Sequence, residues 1–175
     1  MTTIPLIRYH DLSDVSDAGF ELAVTASPDE LHRLAEWAGV DAVSRLEARI
    51  SVIPRPRSEF LLETEFEADV QQTCVVTLEP LESHIMRSFT RTLRLTPGLQ
   101  RHADRGGMVP PAAAEDDAPD EIESLRYDLA APLREEFALA IDPYPRAPGA
   151  EFETPGDDVG PENPFTVLEK FKLHG

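Results

Sequence analysis

The chain has 175 residues, of which 41% are hydrophobic and 28% are charged, a composition typical of one soluble domain with a core of ordinary size. It carries 16 Lys and Arg against 33 Asp and Glu, a formal net charge of −17. This charge repels a phosphate backbone at long range and argues against non-specific nucleic-acid binding. There is no apolar run of about 18 residues, so no membrane span is expected. We expect a single domain over residues 1–175.

The first residues of the chain and its cysteine content indicate the cellular compartment to expect. The first residues lack the basic start and the apolar stretch of a secretory signal. Cys74 is the single cysteine, which excludes an internal disulfide framework. A reducing, cytoplasmic setting is therefore the expectation.

The first predicted elements are a strand and a helix. Residues 20–24 alternate between apolar and other side chains, with the period of a half-buried strand. Ser27 and Glu30 have the spacing of a capping box, and Gly39 supplies a stop signal. A helix between these signals is the clearest local prediction.

The middle of the chain has the two-residue period of strands. Residues 43–52 alternate in this way, and residues 62–70 give the cleanest pattern, with apolar side chains inside and acidic ones outside. Residues 73–78 form a short β-branched run, and residues 85–95 are predicted as another strand. Four strands joined by short turns predict an antiparallel meander.

The rest combines irregular segments with a second helix. Residues 97–120 are rich in Gly, Pro, Ala and acids, and we expect a flexible acidic loop there. Residues 121–127 favour a further strand, and Asp128 is predicted to cap a helix over residues 129–141. Residues 146–163 form a Gly/Pro/acid-rich tail segment. The predicted fold class is α+β: an antiparallel sheet meander with two packed helices, a mobile acidic loop and a C-terminal tail.

One basic island interrupts the acidic sequence, and it is the candidate contact site for RNA or a partner. In one interpretation its arginines form cross-strand pairs with acids on a solvated face. In the other, their guanidinium groups bind the phosphates of a nucleic acid. The island consists of Arg87, Arg91, Arg94, Arg101 and Arg105. The acids expected to pair with it are Glu63, Glu65, Glu67 and Glu82.

Cys74 has three interpretations: the remnant of a metal clamp, a nucleophile, or a core residue. One thiol cannot make a tetrahedral zinc site, and no histidine lies at a ligand spacing from it. A nucleophile needs a neighbour that lowers its pKa, for which only His84 is a candidate. Packing is favoured, since free cysteine is often buried.

Glu135 and Glu136 are adjacent on the second helix and are expected to face different directions. No catalytic, cofactor-binding or metal-ligating residue is predicted.

Three segments carry a resemblance to a known family. They are QTCVVTLEPLESHI (residues 72–85), DLAAPLREEFALAIDPYPR (residues 128–146) and NPFTVLEKFK (residues 163–172). In this order and spacing they resemble the YceD family, a bacterial and plastid group long described as a domain of unknown function. The resemblance covers about residues 20–172. Its C-terminal motif residues here are Asn163, Pro164, Phe165 and Leu168.

The resemblance implies a non-enzymatic ribosome-biogenesis factor that supports accumulation of large-subunit ribosomal RNA. The family's gene commonly neighbours that of a large-subunit ribosomal protein. The implied partner is ribosomal RNA or a basic large-subunit ribosomal protein, without a membrane, a cofactor or a small-molecule substrate. The alternative is an acidic adaptor that escorts a basic ribosomal protein without contacting RNA.

The chain departs from the family at the cysteine turn. Members that look metal-binding carry Cys-x-x-Cys at this turn and further cysteines after the second helix. Here Thr77 stands at the position of the second cysteine of Cys-x-x-Cys, and residues 145–152 contain no cysteine. Zinc binding is therefore not expected in this chain.

Overall fold

The computed structural model describes residues 4–96 and 118–151. A five-stranded sheet and a separate two-stranded sheet are combined with two α-helices, which confirms the α+β class. In chain order the elements are β1 (Tyr9–Asp11), β2 (Phe20–Thr25), α1 (Pro28–Ala38), β3 (Ala42–Arg55), β4 (Glu59–Thr73), β5 (Pro80–Leu95), β6 (Asp120–Ile122), β7 (Arg126–Asp128) and α2 (Ala130–Ala140). No helix in the described part of the chain is both long and apolar enough to cross a membrane.

The large sheet has the strand order β2-β3-β4-β5-β6, and β1 pairs with β7 outside it. The first four strands of the large sheet are antiparallel neighbours, as a meander requires. The short β6 is parallel to the end of β5. The predicted antiparallel meander is therefore confirmed, with one parallel strand added at its edge.

The alternation of side chains explains why one face of the sheet is covered and the other is open. Ile50 on β3 and Leu62 and Phe66 on β4 point into a single core with residues of both helices, among them Leu34 and Phe137. Full burial of one such side chain contributes about 1.5–3 kcal/mol. Both helices therefore pack on the same face of the sheet, and the opposite face carries the charged residues of β3 and β4.

The first helix follows its sequence signals. Ser27 accepts a hydrogen bond from the backbone N–H of Glu30, and the Glu30 carboxylate accepts one from the backbone N–H of Ser27. Gly39 closes the helix in the left-handed conformation, with φ of 71°. Arg8 also binds the Glu30 carboxylate, with 2.7 Å between Nη1 and Oε1. The capping residue thus ties the N-terminal segment to α1.

Asp128 organises the start of the second helix. Its Oδ1 accepts the backbone N–H groups of Ala130 at 3.1 Å and Arg8 at 2.7 Å. Its Oδ2 lies 2.8 Å from Nη1 of Arg134, and both side chains are nearly buried. The carboxylate satisfies the first free donor of the helix, as predicted, although the helix is one residue shorter at each end than expected.

The predicted strand at residues 73–78 is wrong. Thr73 ends β4, and the chain then turns: the Cys74 N–H donates to the Glu79 carbonyl, and the Leu78 N–H donates to the Cys74 carbonyl. Leu78 has φ of 60°, which is incompatible with a strand. β-Branched residues favour strands only where cross-strand neighbours can pack on them, and tight hydrogen bonding takes precedence here.

Two further boundaries differ from the sequence prediction. Residues 121–127 were expected as one strand, but β6 and β7 are two short strands that belong to different sheets. Asp120 begins β6, so the loop predicted at residues 97–120 ends earlier. Most of that loop and of the tail segment at residues 146–163 lie outside the described residues.

Candidate functional site: the acidic face of the sheet

The open face of the large sheet is rich in carboxylates. Strand β4 is central, and its odd-numbered residues point away from the core, so five of its acids share one surface. We call the whole open surface the acidic face. The strand register places on it the acids Glu21, Glu47, Glu59, Glu63, Glu65, Glu67, Asp69, Glu82 and Glu121, and the arginines Arg45, Arg49, Arg55 and Arg94.

Ion pairs neutralise part of this face. Arg45 binds Glu67 and Asp69, with 2.8 Å between its Nε and the Asp69 Oδ2. His84 Nδ1 lies 2.6 Å from the Asp69 Oδ1. The hydrogen bonds from Arg45 and then His84 hold the pKa of Asp69 below its ordinary value. Asp69 is therefore ionised near neutral pH.

Glu63 and Glu65 are exposed and form no ion pair within the described residues. On the β5 side they lie opposite Thr90 and Ser88, whose side chains are small. A shallow depression of 690 Å³ runs across the sheet here, lined among others by Ala23, Thr25, Glu47, Glu65, Glu67, Met86 and Ser88. Small side chains between carboxylates leave room for long basic side chains of a partner.

The arginine island is not one surface. Arg87 and Arg91 lie opposite Phe66 and Leu62, on the helix-bearing face, whereas Arg94 lies opposite Glu59 on the acidic face. Arg87 is exposed. Arg101 and Arg105 lie outside the described residues.

Two of the island's arginines are engaged by carboxylates. Arg94 Nη2 lies 2.7 Å from Glu59 Oε1. Arg91 binds Asp120, Glu135 and Glu136 at 3.4, 3.3 and 3.0 Å. The expected partners Glu63, Glu65, Glu67 and Glu82 are thus wrong for these two arginines. Glu135 and Glu136 both reach Arg91, Glu135 at the arginine's Nη1 and Glu136 at its Nη2.

Cys74 lies at the end of β4 and is fully buried. Its Sγ accepts backbone N–H groups from Val76, Thr77 and Ala147 at 3.4, 3.3 and 3.3 Å. Hydrogen bonds from the Thr77 side chain, then from the N–H groups of Thr77, Ala147 and Val76, lower the thiol pKa to about 6. The Ala147 donor is not evident from the sequence, because it is 73 residues from Cys74. His84 pairs with Asp69 instead of this thiol.

The cysteine turn contains no further metal ligands of the usual kind. Across residues 4–96 and 118–151, no group of three or more His, Cys, Asp and Glu side chains is arranged to hold a metal ion. The turn is joined to the segment after α2 by the Val75 N–H, which donates to the Pro145 carbonyl at 2.9 Å. The sulfur therefore acts as a hydrogen-bond acceptor that fixes the two segments to each other.

Comparison with known proteins identifies one family. The profile of YceD, described as large ribosomal RNA subunit accumulation protein, matches residues 62–172. The match includes four of the five acids of β4, the cysteine turn and α2. It also includes the motif residues Asn163, Pro164, Phe165 and Leu168, although these four lie outside the described residues. No curated protein and no solved structure gives a significant match.

Proposed function

We propose, because the chain belongs to the YceD family of large ribosomal RNA subunit accumulation proteins, that it supports accumulation of this RNA as a non-enzymatic ribosome-biogenesis factor. In this proposal its working surface is the acidic face, which binds a basic large-subunit ribosomal protein before that protein joins the RNA. The observation that carries the proposal is the excess of carboxylates on the acidic face, with Glu63 and Glu65 exposed at its centre.

Charge supports a protein partner more strongly than an RNA partner. A surface with excess carboxylates attracts lysine and arginine side chains and steers a basic protein toward it. The same field repels phosphates. Arg91 and Arg94, which were candidates for RNA contact, are held by carboxylates of this chain. A phosphate would have to displace these carboxylates before it could bind.

A chaperone-like role connects this surface to RNA accumulation. A basic ribosomal protein that is free in the cell binds nucleic acids non-specifically, since its charge attracts any phosphate backbone. Holding it on an acidic surface would prevent such binding until large-subunit RNA is available. The RNA would then be covered during assembly and accumulate, without any chemical step by this protein.

Two binding measurements with purified components test the proposal. Individual large-subunit ribosomal proteins of high positive charge are titrated against the full chain at several salt concentrations. We expect at least one to bind, with an affinity that falls as salt rises. In parallel, large-subunit ribosomal RNA alone should show no binding in a filter assay. Binding to RNA without any basic protein partner would contradict the proposal.

A cellular measurement tests the link to RNA. Depletion of the protein should lower large-subunit ribosomal RNA relative to small-subunit RNA. A chain with Glu63→Gln and Glu65→Gln should restore that ratio only in part. Full restoration by this variant would show that the acidic face is not the working surface.

A further inference from the structure

The outer edge of β5 is the longest unpaired strand edge among residues 4–96 and 118–151. β6 pairs with β5 only at Leu93, Leu95 and the residue between them. Over residues 80–92, the only partner strand of β5 in the part of the chain that the structure describes is β4. This edge is about 40 Å long at the usual rise of a strand.

The edge lacks several of the devices that prevent strand addition, although the exposed Arg87 places a charge on its core side. Natural edge strands are often short, bulged or interrupted by proline. β5 pairs with β4 in continuous register from Arg94 to Pro80 without a bulge, and Pro80 is its only proline. The backbone N–H and C=O groups along this edge therefore form a regular row that can accept another strand.

The two sides of the edge differ in chemistry. On the core side, Ile85 and Phe89 are half-buried and pack against the hydrophobic core. On the other side, Ser88 and Thr90 are small and exposed. A strand added here would cover the two apolar side chains with one of its faces and lie beside the acidic face with the other.

The carboxylates lie one strand further in. Glu65 is the cross-strand neighbour of Ser88, and Glu63 is the neighbour of Thr90. An added strand would lie about 10 Å from β4, two strand spacings away. A lysine or arginine on that strand can cross this distance over a serine or threonine, because its long stem is extended and flexible.

We infer that β5 accepts an extended basic segment of a partner protein as a new edge strand, whose apolar residues cover Ile85 and Phe89 and whose basic residues reach Glu63 and Glu65. This inference rests on the proposed function and deepens it, since it states how the basic partner is held. The segment it fits alternates apolar and basic residues, because successive side chains of a strand point to opposite faces.

A second copy of this chain is a poorer occupant of the edge. Pairing β5 with β5 would bring two acidic faces side by side, and each chain carries a net charge of −17. The excess carboxylates of the two faces would then repel each other across the two β5 strands. A basic strand replaces this repulsion with attraction, which is why the charge of the face selects the partner.

The probe is a synthetic peptide of alternating valine and lysine, titrated against the full chain. We expect binding by fluorescence anisotropy, together with slower amide hydrogen exchange within residues 81–92.

The variant with Glu63→Gln and Glu65→Gln should bind the peptide about tenfold more weakly than the original chain. The control variant, Asp14→Asn with Asp17→Asn, loses two exposed acids before β2 that are not part of the acidic face and should bind within about twofold of the original chain. The same peptide with its central backbone amides methylated should not bind, since it keeps the charge but loses the donors.

Several outcomes overturn the inference. Equal binding of the methylated peptide would show that charge alone attracts it. Protection, in the chain without peptide, of those β5 amides that point away from β4 would show that the edge is already covered, by this chain or by a second copy. If a basic ribosomal protein binds while β5 exchange stays unchanged, the edge inference fails and the proposed function stands. If neither a ribosomal protein nor the peptide binds, both fail.

Discussion

Arg91 of β5 and Glu136 of α2 form an ion pair, with 3.0 Å between Nη2 and Oε1. Burial opposes the charge of Arg91, but hydrogen bonds to Glu136 and Asp120 outweigh it and raise the arginine's pKa above its ordinary value. Glu135 adds a further contact at 3.3 Å. Arg91 therefore connects three elements, β5, α2 and β6, so its main role is in the fold.

Replacement of Arg91 by alanine should lower the free energy of unfolding by about 1–3 kcal/mol, because Asp120, Glu135 and Glu136 would lose their shared cation. Arg94→Ala is the control, since its pair with Glu59 is more exposed and contributes at most about 1 kcal/mol. Urea denaturation of both variants measures the difference. Equal effects would show that Arg91 does not hold the three elements together.

Replacement of Asp128 by alanine should destabilise the fold more than replacement of Arg91. We expect it to lower the free energy of unfolding by about 3–5 kcal/mol. It removes the acceptor for Ala130 and Arg8 and leaves Arg134, whose side chain is only 12% exposed, without its carboxylate. Asp128→Asn should cost less, because the amide oxygen can still accept the two backbone N–H groups. Thermal unfolding of the two variants tests this order. An asparagine variant as unstable as the alanine variant would contradict it.

Acid should weaken the fold through Glu30. The hydrogen bond from Arg8, together with those from Ser27, lowers the Glu30 pKa from 4.5 to about 2. Since the folded pKa is the lower one, the pair stabilises fully above about pH 4.5 and loses its effect as the pH falls toward 2. Glu30→Gln should therefore reduce stability by about 1–2 kcal/mol at pH 7 and much less in acid.

Urea denaturation of Glu30→Gln at several pH values checks this expectation. Glu36→Gln on the same helix is the control, because Glu36 is exposed and contacts only His32 among the ion pairs of the described residues. A loss that stays constant down to pH 2.5 would assign the effect to helix capping rather than to the ion pair.

The buried sulfur should also have a pH-dependent effect. The Cys74 pKa is lowered from 9.0 to about 6, so its contribution is complete above pH 9 and is lost as the pH falls through 6. Cys74→Ala leaves the N–H groups of Val76, Thr77 and Ala147 without their acceptor and should cost about 1–3 kcal/mol. The difference from the original chain should widen between pH 6 and pH 9. A difference independent of pH would indicate that the sulfur stays a thiol.

Local signals in the sequence predicted much of the fold. The capping box at Ser27, the stop at Gly39 and the two-residue period of residues 62–70 each depend on neighbours within a few residues, and each is confirmed. The strand predicted at residues 73–78 is wrong because the turn there depends on hydrogen bonds, including one to Pro145, that the sequence does not show.

The candidate functional surface is harder to predict than the fold. The arginines of the island are close together in the sequence, but the pleat of β5 places Arg91 and Arg94 on opposite faces of the sheet. The acidic face is assembled from five strands, and its clearest signal was the run of alternating acids in β4. That run was recognised as the outer side of a strand. Its use for binding depends on which face the helices leave open, and this is a property of the tertiary structure.

The pairing of β1 with β7 has a consequence for biosynthesis. Arg8 and Asp128, which join the two strands, are 120 positions apart. At the usual rates of translation, on the order of 5–20 residues per second, the amino terminus waits for roughly 6–24 s before its partner is made. During that interval the nascent chain exposes Leu6 and Leu12, which are buried in the finished protein. The nascent chain would therefore need protection while it leaves the ribosome.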